Sequence, residues 1–210
     1  SQPVMNTFTL KIRKDAEQPG PLLLVIMDGV GLYRGLAEGY PGNAVDQAAT
    51  PNLDRLAKEG IAFTNAHSPD SVCTPSRYGL LTGRYAWRTT LKRGVMGAEG
   101  TCLIPDGRMT IASLLKKNGY ETAMVGKWHL GMALPFLDPR NVDTSPWDGD
   151  PGIDFAGTIS DSPIHHGFGS YFGVSASLDM APFVYIRDDR FTALPTIQQV
   201  PPYSYQASNL

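Results

Sequence analysis

The chain has 210 residues, 42% of them hydrophobic, and a formal net charge of −2 at pH 7. That length suffices for one domain-sized core, and the near-neutral balance argues against a nucleic-acid partner or a polybasic membrane surface. No apolar run reaches the length of a membrane span. Two cysteines are too few for a disulfide framework, while 22 glycines and 17 prolines imply many loops.

Residues 1–20 read as an N-terminal tail, with a short strand at residues 7–12. Residues 21–210 form the body. The first 18 residues are polar and charged and lack the form of a signal peptide, so one was removed or none existed. Residues 22–27, Leu-Leu-Leu-Val-Ile-Met, are a continuous apolar run that suits a strand buried on both faces of a parallel sheet. Asp28 follows at once, before Gly29. It is either a ligand-binding carboxylate at a strand's C-terminal end or an ordinary turn residue. A helix is marked from Thr50, its cap, and Pro51, with Leu53, Leu56 and Ala57 inward and Gly60 as its stop. Residues 61–66 read as a second strand.

Residues 71–84 organise the chain: Ser-Val-Cys-Thr-Pro-Ser-Arg-Tyr-Gly-Leu-Leu-Thr-Gly-Arg. Thr74 and Pro75 suit a helix start, Leu80 and Leu81 an apolar side, and Gly83 a left-handed end. Cys73 then stands at a helix N-terminus, where free N–H groups and the positive end of the dipole gather. Arg77, one turn on, points back to the same place. A sulfur nucleophile, a cation and an anion-binding helix end make a site for a tetrahedral oxyanion. The bland reading is an inert cysteine. A Cys-x5-Arg phosphatase loop fails because position 79 is Gly.

Farther on, Thr110 caps a second helix with Ile111, Leu114 and Leu115 inward and Gly119 as its end. A strand at residues 121–125 leads into Gly126-Lys127-Trp128-His129-Leu130-Gly131. A phosphate-loop reading fails on spacing and on Trp128. In an extended chain Lys127 and His129 share a face, which suits charge neutralisation and leaving-group protonation. The alternative is a surface lysine and a structural histidine. Residues 134–163 read as a long surface loop whose Asp138, Asp143, Asp148, Asp150 and Asp154 lack EF-hand spacing. His165 and His166 read as structural, and residues 183–194 as a hairpin.

Cys-x-Pro-Ser-Arg followed by Leu-Thr-Gly-Arg, together with Gly-Lys-Trp-His-Leu-Gly, closely resembles the signatures of the type I sulfatases over about residues 50–194. The resemblance implies an α/β fold: an alkaline phosphatase-like sandwich with a central, mostly parallel sheet, of which this chain is the N-terminal part. It implies sulfuric-ester hydrolysis of an aryl or carbohydrate sulfate, and a maturation enzyme that converts Cys73 to formylglycine, whose hydrate is the nucleophile. Arg77 and Lys127 would clamp the aldehyde and sulfate, His129 would assist proton transfer, and Asp28 and the converted Cys73 would bind calcium. The compartment implied is periplasmic, secreted or lysosomal.

The pattern departs in three places. Gly29 replaces an expected second Asp. The family's later metal-binding Asp-Asn pair does not appear, so the chain reads as an incomplete catalytic domain. Residues 11–56 are also similar to the start of a cofactor-independent phosphoglycerate mutase, though that family's nucleophilic serine motif is missing. Two rival readings follow, a metal-dependent phosphoryl-transfer enzyme built on Asp28 and a chain that binds or folds without turnover.

Overall fold

The computed structural model describes residues 20, 22–26, 51–61, 63, 65–138, 152–178 and 180–196. The chain divides into two units, Ser1–His67 and Ser68–Leu210. In the first, helix α1 runs over Pro51–Glu59. Its exposed Arg55 and Glu59 pair at 3.2 Å, one turn apart, as helical spacing allows. Ala57, expected inward, is exposed, while Leu53 and Leu56 lie outside the side chains described. Thr50, Asp28 and Gly29 lie outside the described residues.

Among the described residues, neither expected strand of this unit is seen. Residues 22–26 are non-strand, with exposure from 49% at Ile26 to 83% at Leu23, and Ile61 and Phe63 are likewise exposed and outside any strand. An apolar run favours burial, but only a partner strand turns it into a ladder, and none pairs with these segments among the described residues.

The second unit holds the core. Helix α2 covers Cys73–Thr82 and α3 covers Ile111–Lys117. A four-stranded sheet follows the order β1 (Ala123–Lys127), β2 (Ser170–Val174), β3 (Ile186–Arg187), β4 (Arg190–Phe191). β1 and β2 are parallel, with Ala123 opposite Ser170 and Lys127 opposite Val174, and the other two pairings are antiparallel. The sheet is therefore mixed rather than mostly parallel among the described residues. The β3–β4 hairpin turns through Asp188 at φ 58° and Asp189.

Local chemistry explains the helix ends. Thr110 caps α3 through a capping box with Ser113, each side chain bonding the other's backbone N–H. Gly83 ends α2 at φ 67°, its N–H bonded to the Gly79 carbonyl at 2.8 Å. The start of α2 corrects the sequence reading. Val72 is the N-cap, without a side-chain bond, and Cys73 is the first helical residue. Tyr78 and Leu81 are buried on α2, whereas Leu80 is exposed, because the helical period places Leu80 on the opposite side from Tyr78.

The core gathers Tyr78 and Leu81 with Ile104, Trp128, Leu130, Met132, Tyr171 and Ile186. Residues 134–163 are no simple surface loop. Isolated bridges pair Ala133 with Asp161 and Phe136 with Ile153, which folds the segment back on itself and buries Leu134, Ile153 and Ile159. Asp143, Asp148 and Asp150 lie outside the described residues. His165 accepts a bond from the Ser162 N–H at 3.0 Å, closing a 3-10 turn over Pro163–His166. His166 pairs with Asp161. Both histidines thus have structural work, as expected.

Candidate active site

The site forms where α2 begins and β1 ends. Val72 gives α2 no side-chain cap, so the helix opens at Cys73 with first-turn N–H groups that its N-cap residue does not satisfy. Lys127, the last residue of β1, places its ammonium Nζ 3.0 Å from Cys73 Sγ. Arg77, one turn beyond Cys73, donates to the Lys127 carbonyl at 2.6 Å. A thiol, an ammonium, a guanidinium and a helix N-terminus therefore meet at one point, although Cys73 and Lys127 are 54 positions apart. It lies at the C-terminal end of a parallel strand, the usual location for α/β ligand sites.

Two residues hold the end of β1 in place. Tyr171 Oη shares its proton between the carbonyls of Gly126 (3.0 Å) and Val174 (2.8 Å), tying β1 to β2. Burial pushes the Tyr171 phenol well above its ordinary range, with the nearby Arg77 opposing the shift, so the hydroxyl stays protonated and keeps donating. Pairing with β2 continues past Lys127, through Trp128 N–H to the Val174 carbonyl (3.0 Å) and His129 N–H to Ser175 (2.8 Å).

β1 ends at Lys127, two residues before His129. His129 sits at φ 58°, in the left-handed region, so the extended alternation ends at Lys127 and the chain turns. That conformation costs a non-glycine residue about 1–3 kcal/mol and needs the surroundings to impose it. They do. Thr74 Oγ1 donates to the His129 carbonyl at 2.9 Å, and the Met96 N–H donates to Thr74 Oγ1 at 3.1 Å. The imidazole is fully buried, with Nε2 2.8 Å from the Met96 carbonyl and Nδ1 3.4 Å from Ser177 Oγ. A carbonyl only accepts, so Nε2 carries hydrogen, and in the neutral ring Nδ1 is the acceptor facing Ser177.

The structure thus brings Cys73, Arg77 and Lys127 together, and Thr74, the neighbour of Cys73, bonds the His129 backbone. Asp28 lies outside the described residues. Sequence reasoning missed Ser177, Tyr171 and the bracing role of Thr74. The signal for Ser177 was its position just past a strand parallel to β1, where the same sheet end recurs. Among the described residues, no group of three His, Cys, Asp or Glu side chains forms around Cys73, so they do not by themselves make the oxygen-rich ligand set calcium requires. Cys102 is buried and free, and burial pushes its thiol up to about 12, leaving it a neutral thiol.

Comparison with known proteins decides the family, because the sulfatase family model matches residues 22–188. The chain belongs to the sulfatase family. The match takes in most of the segment that also resembles phosphoglycerate mutases. The chain is 34% identical over 188 residues to an N-acetylgalactosamine-6-O-sulfatase of Bacteroides thetaiotaomicron, covering 88% of this chain and 32% of that protein. It is also 34% identical to arylsulfatase A of Bos taurus, covering 84% of this chain and 29% of the relative. A solved Bacteroides thetaiotaomicron structure from work on the metabolism of multiple glycosaminoglycans is 36% identical, with a TM-score of 0.57. That superposition covers 70% of this sulfatase-family chain and 27% of the other. The α/β fold is therefore that of the sulfatases, and the chain spans about a third of the length of the curated relatives it matches. Among its described residues no helix is long and apolar enough to cross a membrane.

Proposed function

We propose that Cys73, Arg77, Lys127 and His129 form part of a centre that hydrolyses sulfate esters, with an aryl or carbohydrate sulfate as substrate. The observation that carries this reading is the 3.0 Å approach of Lys127 Nζ to Cys73 Sγ at the N-terminus of α2. In the matured protein Cys73 Sγ stands in for an oxygen of formylglycine. Cys73 is partly exposed at the head of Cys-Thr-Pro-Ser-Arg, so the position fits that conversion. Formylglycine, once hydrated, supplies the attacking oxygen.

The other residues bind and orient. Lys127 and the helix N-terminus hold the sulfate's negative oxygens, and Arg77 fixes the end of β1 against α2 while adding positive charge. Charge that builds up in the transition state meets groups already in place, which is where such contacts lower the barrier most. His129, with its Nε2–H held by the Met96 carbonyl, takes up a second proton at Nδ1, beside Ser177, and as the imidazolium protonates the departing alcohol. Calcium is the metal the family resemblance implies, with Asp28 and the converted Cys73 as ligands. The described residues do not by themselves complete its ligand set. A maturation enzyme acts on Cys73, and the compartment is periplasmic, secreted or lysosomal.

Expression with a maturing enzyme should give an intact mass with sulfur lost and oxygen gained at residue 73. A peptide from such a host bearing only alkylatable Cys73 defeats the reading. In the full-length protein, Cys73→Ala should abolish 4-nitrophenyl sulfate turnover, and retained turnover would equally defeat it.

A further inference from the structure

Away from Cys73, three side chains with different donor atoms converge. Cys102 Sγ, a carboxylate oxygen of Asp161 and a ring nitrogen of His166 all lie within 4.8 Å of one another. They come from three separate stretches of chain. We propose that Cys102, Asp161 and His166 bind one divalent cation of the zinc class, with water in the fourth position, and that the ion staples these stretches together.

Four observations carry the assignment. The first is geometry. Zinc bonds of about 2.0–2.3 Å in a tetrahedron separate the donor atoms by about 3.3–3.8 Å. His166 Nε2 and Asp161 Oδ1, now 2.7 Å apart, need to part by well under an ångström, and the sulfur, within 4.8 Å of both partners, needs to close by up to about 1.3 Å. The second is charge. A thiolate and a carboxylate cancel a divalent cation, and His166 binds as a neutral ring, so the loaded site carries no net charge into a buried place. Cys102 is 7% exposed and His166 5%. The metal displaces the thiol proton to solvent, and the His166 proton shifts from Nε2 to Nδ1, so one proton is released per ion bound.

The third observation is what surrounds the sulfur. The Ile104 N–H and the Trp128 indole N–H both lie beside it. The indole also donates to the Gly131 carbonyl at 2.8 Å. The fourth is pre-positioning. Thr110 Oγ1 donates to the His166 carbonyl at 2.7 Å, Ala133 N–H to the Asp161 carbonyl at 3.1 Å, and Leu103 N–H to Leu130 at 2.7 Å. The His166 ring lies over Trp128, with centroids 5.8 Å apart. The Asp161 side chain is 23% exposed and gives water and ions a way in. Mixed S, N and O donors suit zinc over calcium or magnesium. Because Trp128 lies between Lys127 and His129, the ion would also stiffen the turn that carries both.

The test uses the tag-free 210-residue chain, stripped with a chelator, in a Cys73→Ser background, where Cys102 is the one cysteine left. Cobalt(II) should give a near-ultraviolet thiolate charge-transfer band with the visible bands of a tetrahedral site. Zinc K-edge absorption should show one sulfur at about 2.3 Å and lighter donors at about 2.0–2.1 Å. Adding Cys102→Ser should abolish the band, and His166→Gln should weaken affinity at least tenfold. Zinc at a hundred times its Kd should raise the apparent folding constant about a hundredfold. No sulfur neighbour at zinc in the Cys73→Ser protein overturns the proposal, and this holds even where the Cys102→Ser variant fails to fold. So does full cobalt affinity in a folded His166→Gln variant.

Discussion

Thr74→Val removes one hydroxyl and leaves the side chain's shape. Thr74 is fully buried, and its oxygen is the junction between the His129 carbonyl (2.9 Å) and the Met96 N–H (3.1 Å). Without it, one backbone acceptor and one backbone donor lose this partner in a place water reaches poorly. Each such loss costs about 1–3 kcal/mol, and the Met96 group, being less enclosed, falls at the low end, so the sum is about 2–4 kcal/mol. With a urea slope of about 2 kcal/mol per M, the midpoint should fall by about 1–2 M. Thr74→Ser keeps both bonds and loses one methyl group, so it should fall by about half as much or less. The same bond helps hold His129 at φ 58°, so the Val variant should also relax that turn. In the full-length protein, sulfate-ester turnover should drop more than substrate affinity, because position 74 is the variable place in Cys-x-Pro-Ser-Arg and maturation is left intact. Equilibrium urea unfolding followed by circular dichroism reads the first effect. A Val variant as stable as the parent, or a Ser variant as damaged as Val, would refute the reasoning.

Lys127→Ala and His129→Ala should each slow the chemical step about a hundredfold in the full-length protein, the effect of removing one preorganised charge contact; single-turnover kinetics with an aryl sulfate checks this. Tyr171→Phe should cost about 1–2 kcal/mol by thermal unfolding, since its hydroxyl serves both Gly126 and Val174. Burial raises the Tyr171 pKa in the folded state, so the unfolded chain releases the phenol proton first, near pH 10, while the folded chain keeps it. Stability is therefore full below pH 10 and declines as pH rises above it, and the Phe variant should lose that part of the decline. Gly173→Ala should abolish folding of the second unit, because the added Cβ would run into the Gly126 carbonyl across the β1–β2 pairing; loss of soluble expression and of sheet signal in circular dichroism is the readout.

By itself the sequence determined the features whose causes are local. The Thr110 capping box, the left-handed Gly83, the Asp188–Asp189 hairpin turn and the approach of Arg77 toward Cys73 each depend on residues a few positions apart, whose backbone preferences and side-chain reach can be read in order. The distinctive run from Cys73 to Arg84 pointed to the sulfatase family because so few arrangements combine a nucleophile, a proline and two arginines at that spacing. The tertiary structure decided whatever depends on a partner far along the chain. Thr74 reads as a cap until His129, 55 positions away, claims its hydroxyl. Lys127 and His129 alternate only while the strand lasts, and pairing with β2 together with the Thr74 bond turns the chain between them. Ser177 is one serine among many until the parallel register of β1 and β2 sets it beside the imidazole. Residues 22–26 have the composition of a buried strand and remain exposed, because a hydrogen-bond ladder belongs to a pair of strands and neither one can form it alone.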